Sequence, residues 1–266
     1  MTTRPTALIT GASTGIGAEL ARLFAADSHE SSITVGGAMS MSLDGFIAGV
    51  DDSPKAPLGK GGERLFEWYF NGDTPSRHYG PPFRLSAVSA ELFDARADRC
   101  GAVITGRRTY DVSNAWGGKG PLEGVPLFVL THRVPRRVPR GDIPYTFVTN
   151  GIERAVEQAR AAAARSKKIV MVMGGKAIQH CLRAGLMDEI EIDLVPVLLG
   201  RGVPLFYELG GVRFERTLVV DAPGVTHLRY HILNEGGGRR SPRAKKQRKE
   251  SADRLRRSVP NGGESK

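Results

Sequence analysis

The chain has 266 residues, 40% of them hydrophobic and 25% charged, which excludes wholesale disorder and allows one large domain or two small ones. Its two cysteines exclude a disulfide framework and a four-cysteine zinc site, and no apolar run approaches the ~18 residues of a membrane-spanning helix. The net charge is +10, but residues 236–266 carry 11 Lys and Arg against 3 Asp and Glu, so the preceding residues carry only +2.

Residues 1–32 are predicted to form a short β-α unit followed by a linker. An apolar strand leads into the glycine turn Gly11-Ala-Ser-Thr-Gly-Ile-Gly17, and a helix with an apolar face follows to Ala25. Glycines at a strand-to-helix turn let a pyrophosphate approach the backbone at the helix N-terminus. This motif resembles the start of the short-chain dehydrogenase/reductases, a Rossmann family that uses NAD(H) or NADP(H).

That resemblance covers about 27 residues, and the rest of the chain lacks the Tyr-x-x-x-Lys pair that the family uses for catalysis. For example, Tyr69, Tyr110 and Tyr207 are each followed four residues later by a residue other than lysine. A single strand and helix also cannot build a Rossmann sheet. We interpret residues 1–32 as an appended fragment, and a short-chain dehydrogenase-derived NAD(P)-binding protein is the alternative.

Residues 33–235 are predicted to form one α/β domain. Strands and helices alternate in its first part, and strands follow strands near its end, with a Pro-Gly turn between the last two. This order predicts a mostly parallel sheet with an antiparallel C-terminal end. The predicted strands are 33–41, 101–105, 125–130, 145–148, 168–173, 189–196, 214–220 and 225–233, and the predicted helices are 89–100, 152–165 and 176–184.

Two of these elements carry specific expectations. The strand 189–196 alternates apolar and charged residues, which predicts an antiparallel strand with one face in water. In the helix 89–100, Ser89 is predicted as the N-cap, with Glu91 in the first turn. Residues 48–64 are rich in Gly, Pro, Asp and Lys and are predicted to form a surface loop.

Three predicted strands end in small, hydroxylated or basic residues. Because ligands of open α/β sheets bind beyond the carboxyl ends of strands, we expect these three segments to lie close together. Guanidinium groups suit phosphate by charge and bidentate geometry, and bare N–H groups at a helix start suit a second phosphate. The residues are Gly106, Arg107, Arg108 and Thr109 after the first strand, Thr131, His132 and Arg133 after the second, and Gly174, Gly175, Lys176 and Ala177 after the third.

Motifs spread over residues 33–235 resemble those of one family and occur in the same order along the chain. It is the dihydrofolate-reductase-like family that includes the C-terminal reductase domain of the bifunctional riboflavin-biosynthesis deaminase–reductase. The motifs are Ser42-Leu-Asp-Gly-Phe-Ile-Ala48, Gly106-Arg-Arg-Thr-Tyr-Asp111, Trp116, 125–132, 146–151, Met173-Gly-Gly175, 185–190 and Val195-Pro-Val-Leu-Leu-Gly-Arg-Gly-Val-Pro-Leu-Phe206.

The resemblance implies a dihydrofolate-reductase-like three-layer α/β sandwich, NADPH as the hydride donor, and often a homodimer formed through the C-terminal strands. It places the adenosine-side phosphates at Gly106–Thr109 and Thr131–Arg133, and the pyrophosphate at Gly174–Ala177. The segment from Ser42 to Phe46 is expected to line the nicotinamide and substrate cleft. The family's reference substrate is a ribityl- or phosphoribosyl-aminopyrimidine. The expected activity is NADPH-dependent hydride transfer to a small heterocycle, of the 5-amino-6-(5-phosphoribosylamino)uracil reductase type.

Two acidic residues are candidates for the catalytic side. Dihydrofolate reductases keep a carboxylate on the helix before the Gly-Arg-x-Thr strand, and Glu91 lies near that place; dipole compensation is its structural alternative. Asp44 comes from the Ser-Leu-Asp-Gly segment, and its structural alternative is a turn aspartate. The His-x-Glu and Pro-Cys-x-x-Cys pattern of zinc deaminases is absent from the sequence, and the six histidines show no metal-ligand spacing, so no metal is expected.

Residues 236–266 have few apolar side chains and are predicted to be a disordered basic tail. Nucleic acid could be contacted only through this tail. Such binding is not expected, because no aromatic residue is interleaved among its basic residues for base stacking. A non-enzymatic binding protein that acts through the tail is the remaining alternative. No signal-peptide pattern is found, so the expected location is the cytoplasm, with no membrane association. Trp68 and Trp116 are predicted either to shelter a cleft or to pack in the core.

Overall fold

The computed structural model describes residues 33–141, 143–166 and 168–233, together with the backbone of Ala7–Ile9. The other parts of the predicted N-terminal β-α unit and the whole predicted tail lie outside the described residues. The strands are β1 (Ala7–Ile9), β2 (Val35–Ser42), β3 (Phe46–Ala48), β4 (Thr74–Pro75), β5 (Arg84–Leu85), β6 (Cys100–Gly106), β7 (Leu127–Leu130), β8 (Tyr145–Val148), β9 (Ile169–Met173), β10 (Glu189–Val195), β11 (Val203–Pro204), β12 (Arg213–Ala222) and β13 (Val225–Leu233).

Four α-helices and two 3₁₀ helices are found among the described residues. The α-helices are α1 (Ala87–Arg99), α2 (Arg107–Val112), α3 (Ile152–Ala164) and α4 (Gly175–Arg183), and the 3₁₀ helices are Gly62–Tyr69 and Asn114–Gly118. Trp68, in the first 3₁₀ helix, is a core residue with 1% of its surface exposed. The helices and strands predicted for residues 33–235 are thus present, with their ends shifted by a few residues.

The central sheet contains nine of the described strands, in the order β1-β12-β13-β10-β2-β9-β6-β7-β8. The pairs from β10 to β8 are parallel, whereas β13 runs antiparallel to both β10 and β12. The mostly parallel sheet with an antiparallel C-terminal end is therefore confirmed. The short strand β1 adds its backbone to the outer edge of β12 in a parallel register.

Helices cover both faces of the sheet because the central strands are apolar on both sides. In β6, Ala102 and Ile104 pack into the core beneath α3 and α4, and Cys100 and Val103 pack into the core on the side of α1 and α2. Adjacent side chains of a strand point to opposite faces, so these two cores lie on opposite faces of the sheet. The result is the predicted three-layer dihydrofolate-reductase-like sandwich.

The start of α1 differs from the prediction. Ser86 is the N-cap, with an extended backbone (φ −62°, ψ 152°), and its side chain accepts a hydrogen bond from the Ser89 N–H. The helix therefore begins at Ala87, and Glu91 lies beyond its first turn. The prediction of Ser89 as the N-cap was wrong, because Ser86 has the same capping chemistry and comes three residues earlier.

The strand β10 also differs from the prediction. Its charged residues Glu189, Glu191 and Asp193 are 2%, 6% and 0% exposed, so neither face of this strand is in water. Their side chains lie under α1, where arginine side chains neutralise them, and β10 pairs in parallel with β2 on one side and antiparallel with β13 on the other. The alternation that indicated a solvated face marks a buried ionic layer instead.

Candidate active site

One cleft lies at the carboxyl ends of the parallel strands and has a volume of about 890 Å³. It is lined by all eleven residues predicted to bind the cofactor: Gly106, Arg107, Arg108, Thr109, Thr131, His132, Arg133, Gly174, Gly175, Lys176 and Ala177. The three segments meet here because β6, β7 and β9 are parallel and lie close together in the sheet, so their carboxyl ends share an edge. Trp116 also lines this cleft.

The arginines at the start of α2 are held by different partners. The Arg107 Nε donates to both carboxylate oxygens of Asp111, at 2.8 and 2.9 Å, and its Nη1 donates to the Arg133 carbonyl at 2.9 Å. Arg107 is thereby tied to the segment that follows β7. The Arg108 guanidinium pairs with the carboxylate of Asp52, with an Nη2–Oδ1 distance of 2.7 Å.

Residues Thr131 to Arg133 form a tight turn directly after β7. The Thr131 hydroxyl donates to the Arg133 carbonyl at 2.9 Å, and the Arg133 N–H donates back to the same hydroxyl oxygen at 3.3 Å. The side chains of His132 and Arg133 are exposed and line the cleft. This turn thus presents a second pair of basic groups beside Arg107.

The turn between β9 and α4 requires glycine. Gly174 has φ +87°, and a Cβ at this position would lie 2.4 Å from the Thr109 Oγ1. No side chain caps the start of α4, so the N–H groups of its first turn are left for water or a ligand. Backbone N–H groups, guanidinium groups and the Lys176 ammonium form a donor set that fits a dinucleotide with an additional phosphate.

The loop 49–61 contributes Asp52, Pro57 and Leu58 to the cleft wall. Its two arms are joined by backbone hydrogen bonds, with Gly49 N–H donating to the Leu58 carbonyl and Lys60 N–H to the Val50 carbonyl, each at 2.8 Å. The arms are so close that a Cβ on Gly49 would lie 2.0 Å from the Lys60 carbonyl oxygen. The predicted surface loop is therefore a closely packed backbone structure at the edge of the cleft.

The two predicted catalytic carboxylates are not brought together, and neither lines the cleft. Asp44 is exposed, and its carboxylate accepts hydrogen bonds from the Ser42 hydroxyl at 2.6 Å and from the N–H groups of Leu199 and Gly200, the latter at 2.6 Å. These hydrogen bonds, with the Ser42 hydroxyl first, lower the pKa of Asp44. The carboxylate thus holds the loop that follows β10.

Glu91 lies on α1, partly exposed, and is likewise absent from the cleft wall. The segment from Ser42 to Phe46 also lies outside this wall, which the following residues Ile47 and Ala48 reach instead. The assignments of Asp44 and Glu91 to catalysis stay predictions.

A buried ionic layer lies between α1 and the sheet. The Arg96 Nε donates to Glu191 at 2.7 Å, and its two Nη groups donate to the two carboxylate oxygens of Asp193 at 2.9 Å each. Arg99 donates to Glu189 at 2.6 Å and to Glu191 at 3.2 Å. From β13, the neighbouring strand, Arg229 also donates to Glu191.

Asp193 reaches the cleft from this layer and has a second partner in His227. The His227 Nδ1 lies 2.7 Å from the Asp193 Oδ1, and its Nε2 lies 3.0 Å from the Ser89 hydroxyl. Burial alone would raise the pKa of Asp193, but the Arg96 guanidinium and the His227 hydrogen bond hold that pKa well below its usual range. Asp193 is therefore a carboxylate that stays ionised and is fully engaged by its neighbours.

The inner floor of the cleft is formed by four polar residues, Ser40, Tyr69, Arg96 and Asp193. Ser40 and Asp193 are register partners on the parallel strands β2 and β10. The sequence reasoning missed all four residues. A usable signal was present in the charge pattern, because Arg96 and Arg99 are three residues apart on one helix face and match the alternate acidic residues of β10.

No group of three or more His, Cys, Asp or Glu side chains that could hold a metal ion occurs in residues 33–141, 143–166 and 168–233. Within the same part of the chain, no helix is long and apolar enough to cross a membrane.

The family model of the RibD C-terminal domain matches residues 34–224. The chain belongs to the RibD C-terminal domain family. The match spans every strand from β2 to β12 and all three cleft segments.

Individual proteins and solved structures are also similar to this chain. The "Uncharacterized protein YwjB" of Bacillus subtilis (strain 168) is 30% identical over 112 residues, which are 40% of this chain and 59% of YwjB. A solved structure from Shewanella sp. PV-4, named for riboflavin biosynthesis, is 25% identical, with a TM-score of 0.56, and the match covers 76% of this chain and 100% of that one. Acinetobacter baumannii RibD is 15% identical, with a TM-score of 0.50 over 82% of this chain and 63% of that chain, and shows the same fold.

Proposed function

We propose that the protein is an NADPH-dependent reductase of the riboflavin-biosynthesis type, acting on a small heterocyclic substrate such as an aminopyrimidine–ribose. The observation that carries this proposal is the cleft in which three strand-end segments of a RibD C-terminal domain join a basic wall to an inner floor. A homodimer and a cytoplasmic location stay predictions from the family resemblance and the sequence.

Basic and apolar residues of the cleft have different roles. Arg107, Arg108 and Arg133 supply charge for phosphate groups, and the uncapped first turn of α4 supplies backbone donors. When bound, NADPH supplies a hydride. The apolar side chains of Ile47, Phe66 and Leu58, which also line the cleft, exclude water from the reacting atoms.

The lack of a side chain at Gly174 allows the starts of α2 and α4 to approach closely in the basic part of the cleft. Because the Thr109 side chain occupies the space where a Cβ would stand, Gly174→Ala must displace either Thr109 or the start of α4. Gly185 also has a positive φ, +64°, but no atom within 4 Å of its Cβ position, so Gly185→Ala is a matched control for backbone strain.

The test is a fluorescence titration of the purified full-length protein with NADPH and with NADH. We expect saturable binding that prefers NADPH. Arg107→Ala is expected to weaken NADPH binding by roughly tenfold or more, as loss of a charge-assisted contact does. Gly174→Ala is expected to weaken it as well, because the added Cβ displaces Thr109 or the start of α4. Gly185→Ala and Arg165→Ala, an exposed cation after the end of α3, are expected to leave it unchanged. Full NADPH binding by the Arg107 and Gly174 variants would refute the assignment.

A further inference from the structure

The segment between β7 and β8 contains a tandem repeat. Its sequence is Arg133-Val-Pro-Arg-Arg-Val-Pro-Arg140, so the unit Arg-Val-Pro-Arg occurs twice without a gap. No acidic residue lies between Glu123 and Asp142, and residues 133–140, which we call the repeat loop, carry four positive charges and no negative one. Such a concentration of like charge needs an anionic partner or bulk water.

The repeat loop exposes apolar and cationic side chains together. Val134 and Val138 are 57% and 42% exposed, which places them among the exposed large hydrophobic residues of the protein. The four arginines of the loop are exposed as well, whereas its two prolines are half-buried. The loop therefore presents two apolar side chains to the solvent, each between cations.

Both ends of the repeat loop are held by the rest of the domain. At its start, the Arg133 carbonyl accepts a hydrogen bond from Arg107 at 2.9 Å. Just after its end, Gly141 packs so closely on Gly118 that a Cβ on Gly141 would lie 1.9 Å from the Gly118 carbonyl oxygen. The two prolines also restrict the backbone between these ends. A partner therefore meets a preorganised loop and orders little additional chain on binding.

The arginines after Arg133 are available to an external anion. Arg136, Arg137 and Arg140 have no carboxylate partner in the described part of the chain, whereas the two arginines at the start of α2 are each paired with an aspartate. Arg136 and Arg137 are also absent from the cleft wall, so they are not needed for a ligand in the cleft. Their positive charge is thus neither neutralised by the protein nor used by the cleft.

The exposed valines decide between the two polyanions that carry many phosphates, nucleic acid and an anionic lipid bilayer. Single-stranded nucleic acid is bound by basic grooves with aromatic side chains on which bases stack, and the repeat loop has no aromatic residue. At a bilayer surface, lipid phosphates accept hydrogen bonds from guanidinium groups, and apolar side chains enter the boundary between headgroups and acyl chains. Valines between arginines therefore fit the bilayer better.

We propose that the repeat loop docks the protein reversibly on anionic lipid bilayers. Val134 and Val138 enter the interface, and the arginines beside them contact lipid phosphates. This inference does not depend on the proposed reductase function. Peripheral binding needs neither a membrane-spanning helix nor a signal peptide, the two sequence features on which the expectation of no membrane association was based.

Sedimentation of the full-length protein with lipid vesicles tests the proposal. We expect binding to vesicles of phosphatidylglycerol and phosphatidylcholine that weakens as salt is added, and much weaker binding to phosphatidylcholine alone. Arg136→Gln with Arg137→Gln should lower the partition coefficient by roughly 25-fold, because each basic residue near an anionic bilayer contributes about fivefold. Val134→Ser with Val138→Ser should lower it by roughly fivefold or more, because buried apolar groups are lost.

Two double variants are the matched controls. Arg64→Gln with Arg165→Gln removes two exposed arginines outside the repeat loop. Leu198→Ser with Leu233→Ser removes two apolar side chains that are 66% and 41% exposed, close to the exposure of the two valines. Both controls are expected to bind vesicles nearly as well as wild type. Every variant keeps residues 236–266, so the charge of that segment is the same in all samples, and thermal unfolding of each variant verifies the fold.

Three outcomes overturn the proposal. They are no binding of the wild type to anionic vesicles, equal losses in the two arginine variants, which would indicate net charge alone, and unchanged binding of the valine variant. Titration with single-stranded oligouridylate measures the other polyanion. If Arg136→Gln with Arg137→Gln weakens RNA binding more than vesicle binding, the partner of the loop is nucleic acid and the bilayer proposal is rejected.

Discussion

The carboxylate of Asp52 and the guanidinium of Arg108 form an ion pair across the edge of the cleft, with 2.7 Å between Arg108 Nη2 and Asp52 Oδ1. Asp52 comes from the loop 49–61, and Arg108 comes from the start of α2. The pair partly neutralises a cation of the basic wall, and its hydrogen bond raises the pKa of Arg108. An anionic ligand that binds to Arg108 therefore competes with a carboxylate of the same protein.

Asp52→Asn should strengthen NADPH binding. Removal of the negative charge makes the basic wall more positive, and for a solvent-exposed pair we expect a roughly three- to tenfold lower dissociation constant at low salt. The gain should shrink as salt is added, because exposed charges are screened. Fluorescence titrations at two salt concentrations measure both effects.

Asp51→Asn is the control for this experiment. Asp51 is the preceding residue and also has a cationic partner, Lys60, at 2.8 Å, but it does not line the cleft. If both variants change NADPH affinity equally, the effect is one of net charge. If Asp52→Asn weakens binding, Asp52 instead holds Arg108 in the binding orientation.

Glu191→Gln should destabilise the protein at neutral pH. Burial alone would raise the pKa of Glu191, but Arg229, Arg96 and Arg99 lower it from 4.5 to about 2. Because the folded-state pKa is the lower one, the carboxylate stabilises the fold above about pH 4.5, and this contribution is lost as the pH falls toward 2. A shift of this size corresponds to ~3 kcal/mol of unfolding free energy.

Urea unfolding of wild type and variant between pH 7 and pH 2.5 checks this prediction. The variant should be less stable at pH 7 and should lose less stability on acidification. Glu157→Gln is the control, since Glu157 forms an exposed helical pair with Arg154 and should change neither quantity. Parallel acid profiles for wild type and Glu191→Gln would show that the ionic layer does not act in this way.

Asp44→Ala distinguishes an anchoring carboxylate from a catalytic one. The variant removes the acceptor for the Leu199 and Gly200 N–H groups, so these two amides should exchange with solvent roughly tenfold faster, as expected for loss of a charge-assisted hydrogen bond. Hydrogen exchange measured by NMR reports this directly. Unchanged exchange together with lost turnover would instead support the predicted catalytic role.

The sequence predicted the elements whose signals are local. The apolar strands before Gly106, Thr131 and Gly174 are visible as runs followed by small or basic residues, and the parallel order brings their ends to one cleft. The parallel strand order therefore brings three segments, each a weak signal alone, together in one site. The membership of the family was also predicted from motifs distributed along the chain.

The inner floor could not be predicted in this way because its chemistry depends on pairing between distant elements. Asp193 has the charge of a solvent-facing strand residue, and only the position of Arg96, 97 residues earlier, makes it a buried partner. Tyr69 lies in the 3₁₀ helix Gly62–Tyr69, whose first residues fall in the segment predicted to be a surface loop.

The close backbone contact within the loop 49–61 has a practical consequence for engineering. The shape of this loop is set by Gly49 and Gly59, where no side chain fits, and by main-chain hydrogen bonds. The side chain of Leu58 takes no part in these hydrogen bonds, and it forms part of the cleft wall. Libraries that vary this position can reshape the opening for larger or smaller molecules and leave the scaffold intact.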